Sequence, residues 1–365
     1  MNGDYAIVIP ARDPDEGMPA YVAALRTLCP CPILLVDDGS RAETKQIFRR
    51  CQETVSDVTV LVHEINQGKG RALKTAFARL LADFPNLLGC VTCDCDGQHA
   101  PEDVFACLDA LADHPDAVIL GCRSFGASHV PWKSRWGNNT MRFLFRLITG
   151  RGFADTQTGL RALPADFMRE LLDCPGERFE FETRMLLRLN DRPLVEVPIR
   201  TLYDDGNRGT HFKPFGDSAK ILSVLLIGCA ETLGAFALSS LLSFGVDIGL
   251  FSLLYYVVFG PSTSGHLFWA VALARVASVV FNYACNRYFV FGKTRKDRRF
   301  DARAFRRYLI LAAGIMGASY ALTRLFAGIF PDTPLPWIKA CVDFALFLSS
   351  FLVQRLAIFS PTPAP

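Results

Sequence analysis

No G-x-G-x-x-G follows the first apolar run of this 365-residue sequence, which excludes the Rossmann dinucleotide fingerprint. There is no P-loop either, because Gly68-Lys69-Gly70 lacks the upstream glycine and the following Ser or Thr. Cys90-Val-Thr-Cys93 has no second Cys or His pair at zinc spacing, so the twelve cysteines read as small core residues rather than a metal or redox centre. No secretory leader precedes Tyr5–Pro10, and the N-terminus is expected to stay in a reducing cytoplasm. Charge is scarce in one part only. Residues 221–365 carry 13 Lys and Arg with 6 acids, whereas residues 1–220 carry 26 and 30. The first part is net −4 and as charged as an ordinary soluble α/β domain; the second is net +7 on few charges, as suits a membrane domain. The overall +3 gives no case for a nucleic-acid partner.

What is present in the first part is an alternation of strand-like and helix-like runs. Tyr5–Pro10, Pro32–Val36, Val58–Val62, Leu88–Cys93 and Ala117–Leu120 read as strands, with helices predicted over 18–28, 42–55, 72–81 and from Pro101 onward. Apolar runs without polar alternation indicate strands covered on both faces, hence a mostly parallel, doubly wound sheet. Ligands bind such sheets beyond the carboxyl ends of the strands. The acidic and glycine-bearing clusters fall at those ends: Asp37-Asp38-Gly39-Ser40, Asn66-x-Gly68-Lys69-Gly70 and Asp94-x-Asp96-Gly97-Gln98-His99. Asp94, Asp96 and Gln98 offer hard oxygen atoms on alternate residues, suited to Mg²⁺ or Mn²⁺ and, through the metal, to a diphosphate. A solvated turn is the plain alternative for the same three residues.

At these residues the chain resembles the family 2 glycosyltransferases of GT-A fold, close to the polyprenyl-phosphate and dolichyl-phosphate glycosyltransferases. The matching stretches are Ile9-Pro10-Ala11, Val36–Ser40, Asn66–Gly70, Asp94–His99, Gly121-x-Arg123, Ser134-Arg135, Asp155-Thr-Gln-Thr-Gly159-x-Arg161 and Glu196-x-Pro198, in family order over about residues 5–215. The sequence departs from the family at Arg12-Asp13-Pro14, where an aromatic, Asn and Glu are usual. The resemblance implies a nucleotide-sugar site of Pro10, Ala11, Asp13, Asp37, Asp38, Gly39, Lys69, Asp94 and Asp96, with Mg²⁺ or Mn²⁺ on Asp94, Asp96 and Gln98. It places Arg123, Arg135 and Asn139 at the acceptor phosphate and gives Asp94, Asp96, Arg123 and Arg135 the catalytic roles. Glu180 and Glu182 are expected at the sugar pocket; simple alternation along a strand-like piece is the other reading. Arg208, His211 and Lys213 lie on a glycine-bearing loop that either orders over the diphosphate or forms a basic surface beside anionic lipid.

The second part contains four apolar stretches, 236–259, 267–291, 308–330 and 336–359. Each is roughly 35 Å long as a helix, against a hydrocarbon core of about 30 Å. Ile221–Ala230 is too short to span and is expected to be an interfacial helix, giving a catalytic domain at 1–217, a juxtamembrane helix at 218–235 and a four-helix membrane domain at 236–365. The 260–266 and 331–335 connections carry no Lys or Arg, while 292–307 carries eight. The positive-inside rule therefore puts that loop, the catalytic domain and the C-terminus in the cytoplasm of a multi-pass cell-membrane protein. Asn286-Arg287-x-x-Val290-Phe291 and Gln354-Arg355-x-x-Ile358-Phe359 repeat at a separation of 68 residues, which suggests duplicated hairpins. This part resembles the GtrA-like membrane family. Asp247, Arg275, Arg324 and Asp343 lie within the spans, where they are expected to pair with one another or to face a polar headgroup or transport path.

The function these features imply is inverting, metal-dependent transfer of a sugar from a nucleotide diphosphate sugar, with UDP the expected nucleotide, to a polyprenyl phosphate, with undecaprenyl phosphate the expected lipid. Cell-envelope glycan synthesis is the expected setting, and the membrane helices allow a homo-oligomer. A hydroxyl acceptor is one alternative, and it predicts a Gln-x-x-Arg-Trp-type motif that is absent. A lipid-linked-sugar flippase or scaffold with a degenerate nucleotide domain is the other, opposed by the intact Asp94, Asp96 and Gln98 set.

Overall fold

A computed structural model describes residues 4–123, 132–189, 192–200, 214–259, 264–292 and 300–359; side chains at 132–138, 214–219, 264–265 and 335 lie outside the description. Two compact units emerge, one of residues 1–143 and 153–225, the other of 144–152 and 226–365.

The first unit is built on a seven-stranded sheet. Its strands are β1 (Tyr5–Ala11), β2 (Ile33–Asp38), β3 (Val58–His63), β4 (Gly89–Thr92), β5 (Val118–Arg123), β6 (Arg161–Pro164) and β7 (Leu194–Ile199). Their order is β3-β2-β1-β4-β6-β5-β7, and β6 alone runs antiparallel to its neighbours β4 and β5. β1 and β2 are buried almost throughout, as the apolar runs predict, because helices cover both faces. On one face Met18, Val22 and Leu25 of α1 (Met18–Leu28), Ile47 and Phe48 of α2 (Lys45–Thr54), and Val104, Leu108 and Leu111 of α4 (Pro101–Asp113) share a core with the sheet. Each such large aliphatic side chain contributes about 1.5–3 kcal/mol by leaving water. Elsewhere in the unit α3 (Lys69–Asp83) packs on α6 (Ala165–Leu172) and α7 (Glu180–Leu187). β3 and β7 are the edges, and both are only partly buried. The strand order reverses between β1 and β4, so the crevice at their carboxyl ends is the topological switch point.

One alternative reading and one expectation about local structure are corrected. Glu180 and Glu182 begin the helix α7 rather than a strand, so residues two apart diverge around a helix instead of sharing a face. Ile221–Ala230 is not a separate helix: α8 runs unbroken over Pro214–Ser252, because Glu231 interrupts the apolar run without breaking helical backbone.

The second unit holds most of α8, then α9 (Ser264–Cys285), α10 (Ala302–Ile329) and α11 (Leu335–Val353), together with the end of α5 (Trp132–Thr149). Among the described residues, four helices are long and apolar enough to cross a membrane. α9 and α11 each end in a π-helical turn, Asn286–Val290 and Gln354–Ile358, closed by Phe291 N–H on the Asn286 carbonyl and Phe359 N–H on the Gln354 carbonyl. The equivalent segments meet. Asn286 Nδ2 donates to Gln354 Oε1 at 3.0 Å, Phe291 stacks on Phe359 at 5.3 Å, and each arginine lies over the other segment's phenylalanine. Within the spans Arg275 pairs with Asp247 at 3.2 Å, while Asp343 pairs with Lys339 and accepts from Ser319. Arg324 donates to the Tyr320 hydroxyl at 3.4 Å.

Candidate active site at the carboxyl ends of β1, β2 and β4

The loops after β1, β2 and β3 are tied together by their own acids. Asp37 Oδ1 accepts the Ser40 N–H at 2.8 Å, closing the turn that Gly39 makes at φ +70°. A Cβ on Gly39 would fall 2.3 Å from the Asn66 nitrogen, so the close approach of these two loops requires glycine there. Asp38, buried, accepts from the Gln67 and Gly68 N–H groups at 2.9 and 2.8 Å and faces His63 Nδ1 at 2.8 Å. His63 Nε2 in turn lies 3.0 Å from the Thr75 hydroxyl. Asp13 accepts from the Arg41 N–H and the Thr44 hydroxyl, and its own N–H donates to Ser40 Oγ. Burial works against the Asp13 charge, but these donors outweigh it and hold the carboxyl below its ordinary range. Asp13 and Asp38 thus fasten the backbone of these loops. Pro10 and Ala11 end β1 beside them.

That fastening presents Lys69, the first residue of α3. Its Nζ donates to Asp94 Oδ1 at 2.7 Å and lies 3.1 Å from Glu182 Oε1. The side chains of Lys69 and Asp94 are 16% and 34% exposed. Burial opposes both charges; Asp94 and Glu182 nevertheless raise the Lys69 pKa, and Lys69 with His99, 3.4 Å from Oδ2, lowers that of Asp94. Asp96 is different. Burial, then the charge of Asp94, raises its carboxyl above the ordinary range, against which the Gln98 N–H donates to Oδ1 at 3.1 Å.

Beneath this cluster Gly159 lies so close to Asp94 that a Cβ would fall 2.2 Å from Oδ2. Arg161, fully buried, donates to the carbonyls of Thr158 and Glu182, fixing the start of β6 against α7. The sequence alone does not single out Arg161 or His63 as site residues, although Arg161 and Gly159 belong to the Asp155-Thr-Gln-Thr-Gly159-x-Arg161 motif. Glu180 stands apart from Glu182: its Oε1 accepts from the Glu177 and Arg178 N–H groups. Arg123 forks onto Asp155, with Nε to Oδ2 at 2.7 Å and Nη2 to Oδ1 at 3.2 Å, and Asp155 is wholly buried. Asn139 is exposed on α5. The Arg135 side chain, Arg208, His211 and Lys213 lie outside the described residues.

Among the described residues no three His, Cys, Asp or Glu side chains converge as a finished metal cage. The donor set still fits a divalent cation. Asp94 and Glu182 meet Lys69, and Asp96 stands two residues beyond Asp94, where burial first and the Asp94 charge second raise its carboxyl. Such a cation takes hard oxygens from one or two carboxylates and completes its shell from water or phosphate. Gln98 is half-buried on the same turn.

Comparison with known proteins adds two family matches. Residues 6–172 match the model described as glycosyl transferase family 2, and residues 235–359 match the GtrA/DPMS transmembrane domain. The UDP-N-acetylglucosamine–dolichyl-phosphate N-acetylglucosaminyltransferase of Methanococcus voltae is 28% identical over 228 residues, 56% of this chain and 89% of that one. The polyprenol monophosphomannose synthase of Mycolicibacterium smegmatis is 29% identical over 202 residues, 53% of this chain and 75% of its own. Among solved structures, glucosyl-3-phosphoglycerate synthase from Mycobacterium tuberculosis aligns over 62% of this chain and 78% of that one, at 16% identity and a TM-score of 0.47.

Proposed function

We propose, from the premise that the chain is a family 2 glycosyltransferase carrying a GtrA/DPMS transmembrane domain, that it moves a sugar from a nucleotide diphosphate sugar to a polyprenyl phosphate. The observation that carries this reading is the pairing of Lys69 with Asp94 and Glu182, with Asp96 on the same turn as Asp94, at the sheet's switch point, together with four membrane-length helices among the described residues. A diphosphate is repelled by such a cluster unless a cation stands between them. Relatives whose names specify dolichyl, polyprenol and undecaprenyl phosphate support the lipid acceptor. The Methanococcus relative's name supports a UDP-sugar donor, and undecaprenyl phosphate is the acceptor we favour.

Asp94 and Asp96, with Gln98 on the same turn, would hold Mg²⁺ or Mn²⁺. When bound, the cation supplies positive charge to the leaving diphosphate, where negative charge develops. Lys69 keeps Asp94 ionised and fixed, Asp38 and His63 hold the loop from which Lys69 projects, and Gly159 sets how far Asp94 reaches. A phosphate monoester is largely dianionic at neutral pH, with a second pKa of about 6, so an acceptor oxygen attacks the anomeric carbon without a dedicated base. Attack opposite the diphosphate, in one displacement, inverts the anomeric configuration. Arg135 and Asn139 of α5 are the proposed acceptor-phosphate residues; Arg123 serves them by anchoring Asp155 at the end of β5.

We assign catalysis to residues 1–217 and membrane anchoring to 236–365, with the catalytic part on the cytoplasmic side, following the eight basic residues of 292–307. The test is a donor panel offered to the full-length protein in vesicles containing undecaprenyl phosphate, with products weighed by mass spectrometry. One sugar-phosphate-polyprenol product, lost in EDTA and restored by Mg²⁺ or Mn²⁺, is expected; release of free sugar alone, with the lipid unchanged, would refute the acceptor.

A further inference from the structure

α5 begins in the first unit, which holds its residues up to Phe143, and ends in the second. In the second unit Phe145 and Ile148 are buried, and Leu147 packs against the cluster that contains Phe236, Phe291, Phe351 and Phe359. The final carbonyls of a helix lack partners within it and must find them elsewhere. The Gly150 N–H, at φ +75°, donates to the Arg146 carbonyl at 2.9 Å, and the Thr149 hydroxyl to that of Phe145 at 2.8 Å. The Leu147 and Ile148 carbonyls both go to one distant side chain, Arg355, in the π-helical turn that follows α11. Its Nε donates to Leu147 at 2.8 Å and its Nη2 to Ile148. Its Nη1 donates to the Phe291 carbonyl at 3.5 Å, so the same guanidinium also reaches the turn that follows α9.

The two repeats treat their arginines differently. Arg287 and Arg355 hold equivalent places, and each lies over the other segment's phenylalanine. Arg287 is half-buried, whereas Arg355 is 1% exposed and carries the end of α5 on its fork. A cation is favoured at a helix C-terminus, and a planar guanidinium reaches two carbonyls at once, which an ammonium does not. Other residues seat the same end. Arg146 Nη2 donates to the Leu356 carbonyl at 3.4 Å, and a Cβ on Gly228 of α8 would stand 3.3 Å from the Ile148 side chain. The last turn of α5 is thus held from α8 and from the ends of both repeats.

We infer that Arg355 is a positioning residue for the acceptor: by clamping the end of α5 it fixes the helix on which Arg135 and Asn139 stand, about 20 and 14 Å along the axis from Ile148. The effect on the acceptor rests on the proposed function; the clamp itself does not. The test uses the full chain in vesicles, with undecaprenyl phosphate and the donor selected by the panel above. Arg355→Lys keeps the charge but loses the fork, and Gly228→Leu presses on Ile148 while leaving the fork in place. In each, the KM for undecaprenyl phosphate should rise about tenfold while that for the donor stays within about twofold. Arg287→Lys, the same exchange in the other repeat, should leave both constants unchanged. Backbone hydrogen exchange in the last turns of α5 should be about tenfold faster in Arg355→Lys, a readout that needs no turnover. If both constants rise together, or if Arg287→Lys behaves as Arg355→Lys does, Arg355 serves only the fold of the membrane part and the inference fails. If the unaltered protein transfers no sugar from any donor, the proposed function falls instead. The exchange comparison then still decides the clamp, which unchanged protection of α5 would overturn.

Discussion

Gly159 offers a way to move Asp94 without changing its chemistry. A Cβ there would fall 2.2 Å from Oδ2, 2.7 Å from Cγ and 2.8 Å from Oδ1 of Asp94, where ordinary contact begins at 3.4 Å. In Gly159→Ala the carboxylate has to retreat by about 1 Å, and a displacement of that size costs roughly a hundredfold in rate when it misplaces a catalytic group. The retreat also breaks the 2.7 Å contact with Lys69. Because the end of a side chain yields rather than backbone, stability should fall by only ~1 kcal/mol. The assay is the initial rate of sugar transfer in vesicles, read beside thermal unfolding. Gly152→Ala is the control, since a Cβ at that position meets nothing within 4 Å and should leave the rate unchanged. If Gly159→Ala kept more than half the wild-type rate with an unaltered melt, the placement of Asp94 would not be what the reaction depends on.

Asp96→Asn should lower transfer by at least about a hundredfold, the loss of several kcal/mol of metal-assisted stabilisation, without lowering the melting temperature. The sign follows from the raised Asp96 carboxyl: a folded-state pKa above the unfolded one favours the fold at low pH and loses that contribution as pH rises through it, so removing the ionisation relieves a cost at pH 7. By the same shift, Mn²⁺ affinity measured by calorimetry should weaken with falling pH sooner than an ordinary aspartate predicts; a flat profile would contradict it. Arg123→Lys exchanges a two-point fork on wholly buried Asp155 for a single point, and should lower stability by ~2 kcal/mol in denaturant titration. Cysteine labelling in sealed vesicles should find residue 297 inside and residues 263 and 333 outside, and the reverse result would invalidate the cytoplasmic placement.

The strands were legible because burial on both faces leaves unbroken apolar runs, and the site because polar clusters stand where those runs stop. Asp94, Asp96 and Lys69 do gather as their positions at strand ends suggested. Asp13 and Asp38 were harder to read. Their carboxylates close loops through backbone N–H groups, which a sequence pattern does not show. Arg161 escaped because burying an arginine depends on the Thr158 and Glu182 carbonyls, brought together only by the antiparallel strand β6. Glu180 and Glu182 looked like strand alternation, since a short segment with Phe at 179 and 181 satisfies a period of two over too few residues to exclude a helix. In the membrane part the 68-residue repeat was visible in sequence, whereas the meeting of Asn286 with Gln354 and of Phe291 with Phe359 needed coordinates.

The most direct test of sugar transfer to a lipid phosphate is mass analysis of the lipid after the full-length protein has met each nucleotide sugar in vesicles of undecaprenyl phosphate, with and without Mn²⁺. The account predicts a metal-dependent gain of one sugar on the lipid phosphate, absent in Asp96→Asn. An equal gain in EDTA, or a sugar found on a hydroxyl acceptor with the undecaprenyl phosphate untouched, would contradict it.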